Sequence, residues 1–135
     1  DSALGNVLDH GLDIVHPPLW YLAWAWGLGG RSLDDPVMQA GMLLVGFYVA
    51  DRLVLAVPKA VFKRGLHSLS PLDARLRTII ARRNVNMAIF TVGLVFGMAL
   101  EAFYAIVAWQ GATLAWHAFR TAWLTSSRIG LRHAA

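Results

Sequence analysis

The sequence predicts an all-α integral membrane protein with four transmembrane helices and a short interfacial amphipathic helix. Three observations predict it. Of 135 residues, 57% are hydrophobic and only 15% charged, whereas a soluble domain runs about 45–50% apolar and about 25% charged. Apolar stretches near the roughly 20 residues a spanning helix needs recur along the chain. The net charge of +4 comes from basic residues between and after those stretches, a pattern of cytoplasmic loops facing anionic lipid rather than of a nucleic-acid surface. With no Cys, a disulfide framework, a thiolate metal site and a cysteine nucleophile are excluded. The first residues carry no basic n-region and no small-residue cleavage site, so they are not a signal peptide, and the chain is expected to continue upstream of Asp1.

The first span is expected at residues 12–29, rich in Trp and Leu, with Asp13, His16, Pro17 and Pro18 near its start and Gly27, Gly29 and Gly30 at its end. A polar turn through Arg31 and Asp35 follows, and Pro36 suits the first helical position after an Asp cap. The second span covers residues 37–57, with Asp51 and Arg52 near its far end and Pro58 marking a break. Residues 58–84 form a basic loop holding Lys59, Lys63, Arg64, Arg75, Arg77, Arg82 and Arg83. Within it, Ser70-Pro71-Leu72-Asp73 reads as a helix start. Leu72, Leu76, Ile79 and Ile80 then repeat at helical spacing, predicting an amphipathic helix over 71–83 that lies in the interface.

From Val85 to Leu124 the chain is almost continuously apolar. One span over 85–109 would bury Glu101, at a cost of roughly 2.5–3.5 kcal/mol at the bilayer centre. Two spans, 85–100 and 102–124, joined by a turn near residues 97–101, avoid that cost. They also return Arg120, Arg128 and Arg132 to the side of the basic loop. All basic residues except Arg31 and Arg52 then share one side, as the positive-inside rule requires, and the N-terminus, long loop and C-terminus are cytoplasmic.

This topology puts Asp9 and Asp13 at the cytoplasmic mouth of the first span. Four residues apart, their carboxylates share a helix face and repel by a few tenths of a kcal/mol. A cation between them would turn repulsion into binding, and hard oxygens without thiolates suit Mg²⁺ or Mn²⁺. The bland reading is a pair of solvated acids at a helix start, favoured by the dipole.

The stretch Gly5-x-x-x-Asp9-x-x-x-Asp13 resembles the second half of the CDP-alcohol phosphotransferase signature, Asp-x-x-Asp-Gly-x-x-Ala-Arg followed about eight residues later by Gly-x-x-x-Asp-x-x-x-Asp. The continuation His16-Pro-Pro-Leu-Trp-Tyr and Ala81-Arg-Arg-Asn84 look like a bacterial subgroup of that family. The resemblance covers the whole chain as the last four of six family helices, in an inner membrane with the site on the cytoplasmic face. It implies transfer of a phosphoryl-alcohol group from a CDP-alcohol to an acceptor alcohol, with release of CMP, in phospholipid synthesis. Gly5 would let helices approach, Asp9 and Asp13 would hold metal, and Asp13 would also deprotonate the acceptor. The first half of the motif, with the remaining ligands of a two-ion site, is expected upstream of Asp1, so this segment alone is expected to be inactive.

Four further positions are candidate substrate contacts beside Gly5 and Asp51: His16, Arg52, Arg82 and Arg83. His16 follows Asp13 by three residues and could meet a phosphate or simply hydrogen-bond beside the proline break. Asp51 and Arg52 are intramembrane ions or a self-satisfied pair. Arg82 and Arg83 could grip an acceptor's phosphate or serve only as positive-inside charge. Trp20, Trp24 and Trp26 read as packing or interfacial belt, and His117 as a core histidine. Gly41 and Gly46 offer close-approach points for a homodimer. Two rival functions stand beside the transferase: a non-catalytic membrane scaffold of the same fold, and a four-helix subunit ligating haem through His16 and His117. Single cysteines introduced at Ser32 and Ser68 should label from opposite sides of the membrane, Ser68 from the cytoplasm. Labelling of both from one side would overturn this orientation.

Overall fold

The computed structural model describes the backbone of residues 3–133, and side chains at residue 12 and residues 15–127. Five α-helices follow in order: α1 (Ala3–Gly27), α2 (Pro36–Phe62), α3 (Pro71–Leu76), α4 (Arg83–Val95) and α5 (Ala99–His133), with a 3-10 turn at Leu66–Ser68. Helix α2 lies between α1 and α5, and α4 packs on α5.

Each boundary has a local cause. Helix α1 ends at Gly27, and Gly29 turns the chain at φ +107°. The Gly30 amide then donates back to the Ala25 carbonyl at 3.0 Å. Asp35 is the N-cap of α2 with Pro36 in its first turn. Its carboxylate accepts from the Arg31 and Ser32 amides at 2.9 and 3.3 Å, so it closes the turn behind it rather than the helix ahead. Pro58 does not break α2, contrary to the sequence expectation. It is buried inside the helix, which runs to Phe62 and stops where Lys63 takes the left-handed conformation. A proline removes one i→i−4 bond and strains the turn before it, but a packed helix can absorb that.

The expected helix over 71–83 is also shorter. Ser70 Oγ accepts from the Leu72 amide at 3.2 Å, yet α3 ends at Leu76 and a run of turns follows. Its apolar stripe is not what anchors it: Leu72 and Ile79 are exposed, while Asp73 is 1% exposed. Between α4 and α5 the chain breaks at residues 96–98, where Gly97 has φ +71°. Helix α5 then continues for 35 residues, well past the expected end at 124.

Length and composition do not support four spanning helices. Among the described residues, α2 alone is long and apolar enough to cross a membrane. Helix α4 has 13 residues, about 20 Å at 1.5 Å per residue, against a hydrocarbon core of about 30 Å. Helix α5 is long enough, but Gln110, His117 and Arg120 dilute its apolar run.

The apolar core joins Tyr21 and Ala25 of α1, Leu44 and Tyr48 of α2, and Phe90 and Phe103 of α4 and α5. Trp24 stacks on Phe90 with ring centroids 4.3 Å apart. Gly41, expected at a dimer contact, is spent inside the molecule, where a Cβ would meet Ala25 Cβ at 2.7 Å. Gly46 faces open space. Among the described glycines the closest approach is at Gly93, where a Cβ would collide with Ala102 Cβ and lie 2.9 Å from the Met98 carbonyl oxygen. Gly93→Ala should therefore lower stability in detergent, since overpacking costs about 1–3 kcal/mol and the gain in helix propensity is only about 1. Adding Ala102→Gly should recover part of the loss. An unchanged unfolding midpoint in Gly93→Ala would contradict the close α4–α5 contact.

Candidate functional site

Two neighbouring cavities open between α2 and the segment after α3, the first bounded also by the 3-10 turn and α5, the second by α1 and the start of α4. The first, about 470 Å³, is lined by Asp51, Arg52, Lys59, His67, Arg82 and His117, with Arg77 among its further walls. The second, of similar volume, lies between Pro17, Tyr48, Arg52, Thr78, Arg82 and Arg83. Arg52 and Arg82 border both.

The floor of the first cavity is a chain of buried polar contacts. His117 Nδ1 lies 2.5 Å from Asp51 Oδ1, both side chains 1% exposed. A carboxylate can only accept, so Nδ1 is the donor. Arg52 Nη2 stands 3.7 Å from the other Asp51 oxygen, with its guanidinium over the Tyr48 ring at 5.0 Å. The His67 ring meets His117 edge-on at 5.2 Å, and its Nδ1 donates to the Asp73 carbonyl at 3.3 Å. The Asp73 carboxylate receives a two-pronged bond from Arg120, Nε to Oδ1 at 3.0 Å and Nη2 to Oδ2 at 2.7 Å. This fork fastens α3 to α5, and with it the loop that roofs the cavity. The Thr113 hydroxyl holds the other end by accepting from the Ala81 amide at 3.0 Å.

Arg52, Lys59, Arg77 and Arg82 thus face a space in which, among the described residues, the one lining acid, Asp51, is already engaged. An excess of cations around a concave space selects an anionic ligand, and planar guanidinium forks suit phosphate oxygens.

Of the residues singled out by sequence, Asp51, Arg52 and Arg82 come together in the first cavity, and Arg83 joins Arg52 and Arg82 at the second. His16 is apart: it is exposed and stacks on Trp20 at 5.3 Å. The side chains of Gly5, Asp9 and Asp13 lie outside the described residues. Along the backbone of α1, the turn carrying Asp13 comes just before the one carrying Pro17, which lines the second cavity. Among the described residues no cluster of three or more His, Cys, Asp or Glu could hold a metal ion.

Sequence reasoning missed Asp73, Arg120 and His67 as parts of one structure. A signal was present: Gln110, Thr113, His117 and Arg120 recur at spacings of three and four within an apolar stretch, a polar stripe at helical period.

No family model, curated protein or solved structure matches this chain.

Burial, with the neighbouring His117, pushes the His67 imidazole below its ordinary value, outweighing the bond to the Asp73 carbonyl. The folded state therefore disfavours charged His67. Below about pH 6.5, the unfolded value, the unfolded chain binds more protons and stability falls as pH drops. Wild-type protein should lose thermal stability between pH 6.5 and 5, and His67→Asn should show a shallower loss. Equal slopes for the two proteins would contradict this assignment.

Proposed function

We propose that the chain is the C-terminal part of a membrane-associated CDP-alcohol phosphotransferase, with α2 spanning the bilayer and the cationic cavities at the cytoplasmic face. The observation that carries the reading is the Gly5, Asp9 and Asp13 spacing on the helix whose next turn borders a cavity shared by Arg52, Arg82 and Arg83. The molecule's exterior favours a lipid setting. Leu43, Leu53, Val95, Phe96 and Phe119 are at least half exposed, while Asp51, Asp73, Asn86 and Gln110 are buried beside the apolar core.

In this reading the acceptor hydroxyl attacks the phosphorus that bears the donor's alcohol. The bond from that phosphorus to the bridging oxygen breaks, CMP leaves with the bond pair, and the hydroxyl proton passes to Asp13. Asp9 and Asp13 supply hard oxygens one turn apart, the donor chemistry of Mg²⁺ or Mn²⁺. A bound divalent pair would neutralise the diphosphate. Arg52, Arg82 and Arg83 would grip phosphate oxygens of donor or acceptor.

The test uses the complete protein and measures CMP release. A general base contributes about 10²–10⁴-fold, so Asp13→Asn should slow release by at least the lower figure with expression unchanged. Asp9→Asn should act through metal affinity, and excess Mn²⁺ should rescue it better than Asp13→Asn. Release at the wild-type rate in Asp13→Asn would return the two acids to solvated helix-start charge.

A further inference from the structure

The segment between α2 and α4 buries an acid and leaves aliphatic side chains outside. Asp73 is held under Arg120, the Ala81 amide donates to Thr113, and the Ile79 carbonyl accepts from the Trp109 indole at 3.0 Å. Three ties to one helix lay residues 73–81 along the flank of α5, where Ile80 and Ala81 are buried as well. Leu72 and Ile79 point the other way, 50% and 53% exposed, with Trp109 37% exposed beside Ile79. In water each of them forfeits much of the stabilisation that burial of its apolar surface would give.

Around this apolar edge the charge is of one sign. Lys63, Arg64, Arg75 and Arg77 are exposed. Asp73, the one acid between Lys59 and Arg83, is spent on Arg120. Lys63 directly follows α2, the helix long and apolar enough to cross a membrane, so the cations begin where that helix would leave the hydrocarbon. A surface that is anionic outside and apolar beneath satisfies both features. Cations stay with the headgroups while Leu, Ile and Trp side chains enter the boundary below them. A nucleic acid would meet the cations and leave the aliphatic side chains in water.

We infer that the outer side of residues 63–79 is a docking surface for anionic phospholipid, in which Lys63, Arg64 and Arg75 take headgroup phosphates and Leu72, Ile79 and Trp109 enter the acyl boundary. This surface presupposes the membrane part of the reading above but not the transferase. Arg77, Thr78 and Ile80 of the same segment wall the cavities, so lipid on the outer side also seats the cavity roof.

The 135 residues contain no Cys, so one nitroxide can be attached at Leu72→Cys or Ile79→Cys of the full chain, any cysteine elsewhere being replaced by serine. Ser68→Cys, on the wall of the first cavity, is the water reference. The readout is collision of the label with oxygen, which concentrates in acyl chains, relative to a water-soluble nickel chelate. In vesicles mixing phosphatidylglycerol with phosphatidylcholine, that ratio should be several-fold higher at 72 and 79 than at 68. One cation near an anionic surface shifts partition about fivefold, so three shift it about a hundredfold. Lys63→Gln, Arg64→Gln and Arg75→Gln together should therefore bring the ratio at 72 and 79 to the value at 68. Pure phosphatidylcholine should do the same to the wild-type cations, a comparison that needs no variant fold.

A water-like ratio at either position in the mixed vesicles would overturn the inference. So would a high ratio that persists in pure phosphatidylcholine, since charge then plays no part, or labels closed to both reagents, the mark of a protein partner. CMP release by the same preparations keeps the two readings apart. Lipid-facing labels without release remove the transferase alone, and release with water-facing labels removes the docking surface alone.

Discussion

The structure depends on a polar stripe along one face of α5. Gln110, Thr113, His117 and Arg120 sit three or four residues apart on a helix whose earlier turns bury Phe103, Ile106 and Val107. Each meets a different part of the chain: Gln110 receives Asn86 of α4 at 3.4 Å, Thr113 receives the Ala81 amide, His117 holds Asp51 of α2, and Arg120 holds Asp73 of α3. An unpaired buried polar group costs about 1–3 kcal/mol, so a slip of α5 by one residue would forfeit several such pairings at once. Apolar contacts tolerate sliding; this set fixes the register.

The same stripe explains why a cavity stands open at one end. The loop after α2 is pinned at both edges, by the Arg120–Asp73 fork and by the Thr113–Ala81 bond, and it spans between them without collapsing onto α2. The acids that could have neutralised the loop's cations are used in the pinning. Asp73 is committed to Arg120 and Asp51 to His117. Arg77 and Arg82 are left exposed at the rim. Positive potential here follows from where the two buried acids are spent, more than from the overall excess of basic residues.

What the sequence made legible was local. The Asp35-Pro36 start of α2, the Ser70-Pro71 start of α3 and the turn at Gly97 each rest on residues adjacent in the chain, where capping and left-handed geometry act. Pro58 misled because tertiary burial overrides a local breaker, and the helix over 71–83 was overextended because its periodicity ignored Asp73. Arg52 and Arg82 were each legible as a candidate substrate contact, but their meeting around one cavity was not. Asp73 and Arg120 are 47 positions apart, and Asp51 and His117 are 66 apart; a single sequence does not signal such pairing. His117 was legible as a core histidine, which is correct for Nδ1 and incomplete for Nε2.

The two buried acids differ in a way that separates scaffold from site. Both oxygens of Asp73 receive short bonds from one guanidinium, 3.0 and 2.7 Å, in the planar fork that matches a carboxylate. That pair is saturated, and its value lies in geometry, since a buried ion pair returns little net stability over apolar packing. Asp51 is less completely held. One oxygen meets His117 closely, but the other has Arg52 only at 3.7 Å, and that guanidinium is shared with the Tyr48 ring and with both cavities. The histidine on the near side keeps an unspent nitrogen. Where every polar atom is paired, nothing remains to offer a ligand. Among the described residues Asn86, Gln110 and Thr121 also keep an unpaired buried atom, but Asp51, Arg52 and His117 line the first cavity, and the capacity for recognition inside this fold lies with those three.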